Sequence, residues 1–320
     1  MRFRELGHTG MKISQLSFGA SSLGSVFRDV PEDEAIATVY KAIDLGINFI
    51  DCSPFYGITK AETVLGKALK ELPRDAYYLA TKVGRYHDRE FDFSAERVTK
   101  SIEESMERMN VDYIDLIQTH DIEFVHLDQI LHETLPALVA AKEAGKVGHI
   151  GITGLPLHVF DYILDRADEG IVESVLSYCR YSLNDHSLAA KFDKYQAMGV
   201  GIINASPTSM GLLTERGAPD WHPAPKEVIE ACAEVVQLIQ SKGQDIVELA
   251  VQFACHPEAI TSTLVGTANP KNIEKNVKFL ETDMDQESLA EALTILKPVL
   301  NQTWASGLPE NQDPGVVVTG

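Results

Sequence analysis

Short apolar runs alternate with stretches of helical period along nearly the whole chain, and that alternation most restricts the fold. The pattern predicts strands at residues 15–19, 49–51, 77–82, 113–119, 147–153, 172–178, 201–206 and 260–265. Helical spacing fills the gaps, at 31–45, 61–69, 94–109, 127–144, 157–167, 187–198, 226–240, 247–254 and 272–280. Strict strand–helix alternation implies parallel pairing through right-handed crossovers. Eight such units point to a closed (β/α)8 barrel. An open doubly wound sheet is the alternative, but no GxGxxG follows the first strand. Gly7-His8-Thr9-Gly10 reads as the turn of an N-terminal hairpin. One extra C-terminal helix is expected at 287–296, followed by a C-terminal loop. The whole of residues 1–320 reads as a single barrel domain, with about 313–320 as a disordered tail.

Three consecutive strands end in chemistry. The second delivers Asp51, with Tyr56 in the Pro54 and Gly57 loop just beyond it. The third ends at Lys82 and the fourth at His120. Active sites of such barrels lie at the C-terminal ends of the strands. Singly, each residue has a plain role as a turn cap, a surface charge or rim packing. Jointly, a carboxylate, a phenol, an ammonium and an imidazole converge if the strands are neighbours. A phenol titrates near 10 in water, and a nearby ammonium is expected to lower that value. A tuned phenol exchanges a proton with an alcohol/carbonyl pair. The other half of that chemistry is a hydride carrier, a bound nicotinamide or flavin.

Charge and cysteine usage bound the partners. A net charge of −19 disfavours nucleic acid and an anionic membrane surface. Four cysteines, Cys52, Cys179, Cys232 and Cys255, have no CxxC spacing and read as reduced thiols. Residues 1–13 lack a signal-peptide core, and no apolar run approaches a membrane span. A cytosolic protein acting on a small molecule is the expectation.

Asp51, Tyr56, Lys82 and His120 resemble the catalytic tetrad of the aldo-keto reductases. The likeness runs from Phe3 to about Leu296. It includes Gly19, the Asp51-x4-Tyr56-Gly57 spacing, residues 145–151 (GKVGHIG), Ser206-Pro207 with Gly211-Leu212-Leu213, and Gly266-Thr267 through Asn276. The resemblance implies a (β/α)8 oxidoreductase that uses a nicotinamide dinucleotide without metal or flavin. It implies that Tyr56 is the general base on a sugar's anomeric hydroxyl. Lys82, held by Asp51, would stabilise the phenolate while His120 orients the hydroxyl, and the product would be an aldonolactone. It further implies cofactor contacts from Gly19, Asp51, Thr153, Tyr178, Ser206, Thr208, Gly211, Gly266, Thr267, Ala268, Asn272 and Asn276. Substrate candidates beside Tyr56 and His120 are Phe27, Tyr86, His87, Asp121 and Trp304.

The chain departs from the family pattern at several cofactor positions. Gly154 stands where an asparagine amide commonly holds the carboxamide, Tyr178 where glutamine is usual, and Ala205 where many relatives stack a tyrosine. Gly266, Ala268 and Asn272 lack the cations that a 2′-phosphate needs, so NAD is expected over NADP. Alternatives within the fold are an L-fucose or D-arabinose dehydrogenase and a general aldehyde reductase. A channel-subunit-like binding platform would use the fold without turnover, and a flavin-dependent oxidase would be yellow.

Overall fold

The computed structural model describes residues 1–26 and 28–316. An antiparallel hairpin comes first, β1 (Phe3–Glu5) and β2 (Lys12–Ser14). Eight parallel strands then close on themselves: β3 (Leu16–Gly19), β4 (Phe49–Asp51), β5 (Tyr78–Val83), β8 (Ile114–Thr119), β9 (Val147–Gly154), β10 (Ser174–Tyr178), β11 (Gly201–Ala205) and β12 (Ser262–Gly266). A small hairpin, β6 (Arg85–His87) and β7 (Glu90–Phe91), follows β5. Its strands are too short for alternation to register in the sequence.

The outer ring contains α1 (Glu32–Asp44), α2 (Lys60–Leu69), α3 (Ala95–Met109), α4 (Leu127–Gln129), α5 (Leu135–Glu143), α6 (Leu157–Leu164), α7 (Phe192–Ala197), α8 (Lys226–Ser241), α9 (Ile246–Cys255), α10 (Pro270–Phe279) and α11 (Gln286–Leu296). The amphipathic α3 shows why these segments are helices. Ser94 caps it by accepting from the Arg97 N–H, Val98, Ile102, Ser105 and Met109 face inward, and Asn110 ends it in the left-handed conformation. Two expected helices are broken. A π-helical turn, Ile130–Thr134, joins α4 to α5, and a 3₁₀ turn, Ser187–Lys191, precedes α7.

The N-terminal hairpin plugs the bottom of the barrel. Its Leu6, Met11 and Ile13 pack with the inward Phe49, Ala80, Leu116, Leu176, Ile203 and Leu264. Burial of one such side chain contributes about 1.5–3 kcal/mol. Above this layer the interior turns polar. The opposite end is crossed by residues 297–316. Leu308 N–H donates to the Glu123 carbonyl at 2.8 Å, and Asn311 Nδ2 donates to the same carbonyl at 2.9 Å. Asp313, the first residue of the expected tail, accepts the backbone N–H groups of Leu157 and His158 at the start of α6 and pairs with Arg180 at 3.1 Å. Residues 317–320 lie outside the described residues.

Candidate active site

Strand parity decides what points into the barrel mouth. Asp51 pairs with Ala80, and Ala80 with Leu116. Ala80 and Leu116 lie in the inner layer, so Asp51 faces inward beside them. One period up each strand, Lys82 and Gln118 take the same face. His120 follows at the next inward position. The tetrad residues on β4, on β5 and just past β8 therefore stand above the apolar floor. Tyr56 comes from the loop after β4, which is held by a close approach of two glycines. Gly57 has φ +62°, and a Cβ at Gly24 would meet the Tyr56 carbonyl at 2.6 Å.

The four groups meet. The Lys82 ammonium is 1% exposed and donates to Asp51 Oδ1, to the Cys52 carbonyl at 2.9 Å and to the Tyr56 hydroxyl at 3.3 Å. These three acceptors match its three protons. Gln118 Nε2 donates to the other Asp51 oxygen at 2.7 Å. The His120 ring stands edge-on to the Tyr56 ring, centroids 5.6 Å apart, and Nδ1 lies 2.9 Å from Ser53 Oγ.

Burial shifts these groups in a consistent way. It works against the Lys82 charge, but Asp51 and Tyr56 outweigh it and hold the ammonium above its usual range. It drives His120 down to about 3, with Lys82 and Arg85 adding to the effect and Asp121 opposing. It pushes the Tyr56 phenol up to about 12, with Lys82 pulling down and Asp51 and Asp121 pushing up. The expected net lowering of the phenol is thus corrected. Lys82 does lower it, but desolvation is the larger effect.

A second charged pair borders the tetrad. Asp121, with a left-handed φ of 54°, turns its carboxylate to within 3.7 Å of His120 Nε2 and pairs with Arg85. Burial works against the Asp121 charge, and the facing His120 and Arg85 outweigh it. The Arg85 guanidinium lies 3.9 Å over the Phe55 ring and within 5.3 Å of the Phe91 and Phe124 rings.

The other expected residues spread around the mouth. Gly19 and Gly266 are register partners at the ends of β3 and β12. A Cβ at Gly266 would meet Ser21 Oγ at 3.3 Å and Ser22 Oγ at 3.6 Å, so bare backbone and two hydroxyls line a shallow cradle there. Thr267 and Ala268 are buried beside it, and Asn272 Nδ2 reaches Thr267 Oγ1 at 3.4 Å. Asn276 lies on α10, one turn beyond Asn272. Ser206 has φ 58°, Met210 φ 51° and Gly211 φ 108°, so the loop carrying Thr208 is tightly wound. A glycine-gapped cradle flanked by hydroxyls and amides fits the phosphates and ribose of a dinucleotide.

On the β9–β10 side, Thr153 Oγ1 accepts the Asp121 N–H at 3.0 Å. Gly154 faces the α6 side, where a Cβ would meet Glu123 Oε2 at 2.8 Å. That contact explains the departure at Gly154, since Glu123 already occupies the space. Glu123 is fully buried. Its Oε1 accepts from Leu155 N–H at 3.2 Å and Ser306 Oγ at 2.8 Å, and burial, helped by Asp121, pushes it up to about 8. Tyr178 ends β10, and burial with Asp121 and Glu123 raises its phenol well above the usual range.

Of the substrate candidates, Asp121 is beside the tetrad. Tyr86 points elsewhere: its hydroxyl accepts the Gly84 N–H at 3.2 Å, and Arg97 on α3 covers its ring at 3.8 Å. His87 is exposed on the small hairpin. Trp304 stands edge-on to His222, centroids 5.2 Å apart. Phe27 lies outside the described residues. Sequence reading missed Ser53, Gln118, Arg85 and Glu123. Gln118 was within reach, since it sits one strand period below His120. Glu123 carries no local signal, because distant backbone and residue 306 define its surroundings.

The chain matches the Aldo/keto reductase family over residues 15–296. It is 51% identical to L-galactose dehydrogenase of Arabidopsis thaliana, across 97% of this chain and 99% of that one. It is 31% identical to D-arabinose 1-dehydrogenase of Saccharomyces cerevisiae, across 93% and 95% respectively. Among solved structures it resembles the holo form of an aldo-keto reductase from Bacillus halodurans, with a TM-score of 0.78 and 25% identity over 98% of this chain and all of that one.

Proposed function

The chain belongs to the aldo/keto reductase family, and from that premise we propose that it oxidises L-galactose at C1 to L-galactonolactone, with NAD as oxidant. The observation that carries the reading is the contact chain from Asp51 through Lys82 to the Tyr56 hydroxyl, with His120 against the same ring. The likeness to L-galactose dehydrogenase supports the choice of sugar. When bound, the nicotinamide supplies the hydride acceptor at C1.

Tyr56 takes the proton of the anomeric hydroxyl. A phenol near 12 holds its own proton at neutral pH, so the phenolate is the scarce form. Lys82, 3.3 Å from the oxygen, stabilises that phenolate, and Asp51 with the Cys52 carbonyl keeps the ammonium in place. Sugar oxidation is therefore expected to speed up as pH rises into the alkaline range. His120 is neutral and orients the sugar oxygen. Asp121 and Arg85 offer an acceptor and a donor to neighbouring hydroxyls, which suits a polyhydroxylated substrate better than a plain aldehyde.

Gly19, Gly266, Thr267 and Asn272 would hold the dinucleotide at the β3–β12 cradle, with Ala268, Asn276, Ser206, Thr208 and Gly211 around it, and Thr153 and Tyr178 would flank the nicotinamide. NAD is favoured because Lys275, the nearest cation on the next helical turn, is already paired with Asp245 at 2.5 Å. The four buried free thiols support a reducing compartment, and we assign the reaction to ascorbate synthesis in the cytosol. Among the described residues, no helix is long and apolar enough to cross a membrane.

The test is kcat/KM for L-galactose, L-fucose, D-arabinose and a simple aldehyde, with NAD(H) and NADP(H). L-Galactose with NAD should rank first. A clear preference for the aldehyde with NADPH would replace the reading with a general reductase. The likeness to D-arabinose 1-dehydrogenase makes another aldose the second reading, and the same panel decides it.

A further inference from the structure

Ser53 lies two residues past Asp51 and is fully buried. Its Oγ accepts the Phe55 N–H at 3.1 Å and sits 2.9 Å from His120 Nδ1. A hydroxyl carries one proton, and a buried proton left without an acceptor is costly. Among the described residues, Nδ1 is the acceptor within hydrogen-bond distance of that hydroxyl. The Ser53 proton therefore goes to Nδ1.

A neutral imidazole has one accepting and one donating nitrogen. His120 is 4% exposed and neutral, since burial and the Lys82 and Arg85 charges disfavour a second proton. If Nδ1 accepts from Ser53, the ring proton is on Nε2. A second contact agrees. Nε2 faces the Asp121 carboxylate at 3.7 Å, which attracts an N–H and would repel a bare lone pair. The Phe55 and Tyr56 rings, both edge-on to the imidazole at 5.7 and 5.6 Å, hold it against rotation.

We propose that Ser53 is a positioning residue: its hydroxyl donates to His120 Nδ1, fixes the imidazole as the Nε2–H tautomer, and so makes Nε2 a hydrogen-bond donor to the substrate oxygen. The nature of that oxygen rests on the aldose reading above, whereas the tautomer does not.

The experiment is ¹⁵N NMR of histidine-labelled protein, with the His120 resonances assigned from a His120→Gln sample. In the parent, Nδ1 should be unprotonated and Nε2 protonated from pH 6 to pH 8. A protonated Nδ1 would overturn the proposal, and that measurement needs no Ser53 variant. In Ser53→Ala, the Nδ1 signal should move toward the protonated form, and an unchanged signal would overturn the assignment to Ser53. Kinetics gives the second readout. Ser53→Ala should lower kcat by about ten-fold, the scale of one hydrogen bond, with NAD affinity unchanged. In a His120→Gln background the same substitution should cost nothing further. An equal loss in both backgrounds would show that Ser53 merely supports the loop. Absence of turnover with every aldose would sink the substrate reading and leave the tautomer result standing.

Discussion

The corner made by β4, β5 and β8 and the wall that faces it from β9 to β12 differ in how the groups at their centre are held. In the corner, both Asp51 oxygens and all three Lys82 protons have partners, although Gln118 Oε1 and Thr119 Oγ1 on β8 are buried without one among the described residues. On the wall, Cys179, Ser206, Ser209 and Met210 take left-handed backbone. Ser177 Oγ, Asn204 Oδ1 and Glu123 Oε2 are buried without a hydrogen-bond partner among the described residues. The Asp51–Lys82–Tyr56 network is held in place before anything binds, and the wall's left-handed backbone winds its loops tightly. The difference teaches a division of labour. On the reading proposed above, the corner holds the proton site and the wall holds the dinucleotide.

Tyr56→Phe tests the corner most severely. It removes the oxygen proposed to take the proton and leaves the wall untouched. Turnover should fall roughly 10²–10⁴-fold, with NAD affinity by fluorescence titration unchanged. A variant keeping most of the parent kcat would mean that the corner is not the proton site. Lys82→Met is next. It strands Asp51 without its cation, at a cost of about 3–5 kcal/mol in stability. It also removes the charge that lowers the phenol, so the alkaline rise in sugar oxidation should move to higher pH. An unshifted profile at normal rate would separate Lys82 from Tyr56.

The wall is probed by cofactor exchange. Asn272→Arg adds a guanidinium where the Asn272 amide now reaches the Thr267 hydroxyl. A charge-assisted hydrogen bond to the 2′-phosphate is worth about 1.5–3 kcal/mol, so kcat/KM with NADP should rise about 10- to 150-fold. The NAD rate should change little. Equal use of both cofactors by the parent would refute the local-charge argument. A variant with no gain would move the 2′-phosphate site to Lys271.

The same contrast explains what could be read from the chain. Asp51, Lys82 and His120 each end an apolar run, and two-residue strand parity places all three inward, so the corner follows from local pattern. Gln118 obeys the same rule and could have been included. Arg85 was hidden because its partner Asp121 lies 36 residues away, and a hairpin of a few residues carries it. Tyr86 misled for the complementary reason. Proximity to Lys82 in sequence suggested the site, but strand alternation sends it to α3 while Arg85 turns to Asp121. The phenol shift was misjudged because sequence reveals neighbouring charges and not the depth of burial. Glu123 is defined by Leu155, Ser306, Leu308 and Asn311, all contacts of long range.

Glu123→Gln gives the smallest expected effect and the sharpest separation of the two regions. Burial pushes the Glu123 carboxyl up to about 8, from near 4.5 for an ordinary glutamate. Between about pH 5 and pH 8 the folded protein then keeps a proton that the unfolded chain has released. Stability linked to this group is complete below that window and is lost as pH rises through it. Glutamine cannot ionise, yet its carbonyl oxygen can still accept from Leu155 and Ser306. The variant should therefore gain on the parent as pH rises, by on the order of a few degrees in Tm between pH 5 and pH 8, and the gap should level off above pH 8. A gap that stays constant across that range would mean that Glu123 titrates as an ordinary surface acid. The substitution leaves the Asp51, Lys82 and Tyr56 contacts in place, so the pH profile of sugar oxidation should keep its midpoint. A profile that moved with the Tm gap would show that Glu123 with the crossing segment 297–316 and the proton site act as one unit, and the division drawn between corner and wall would fail.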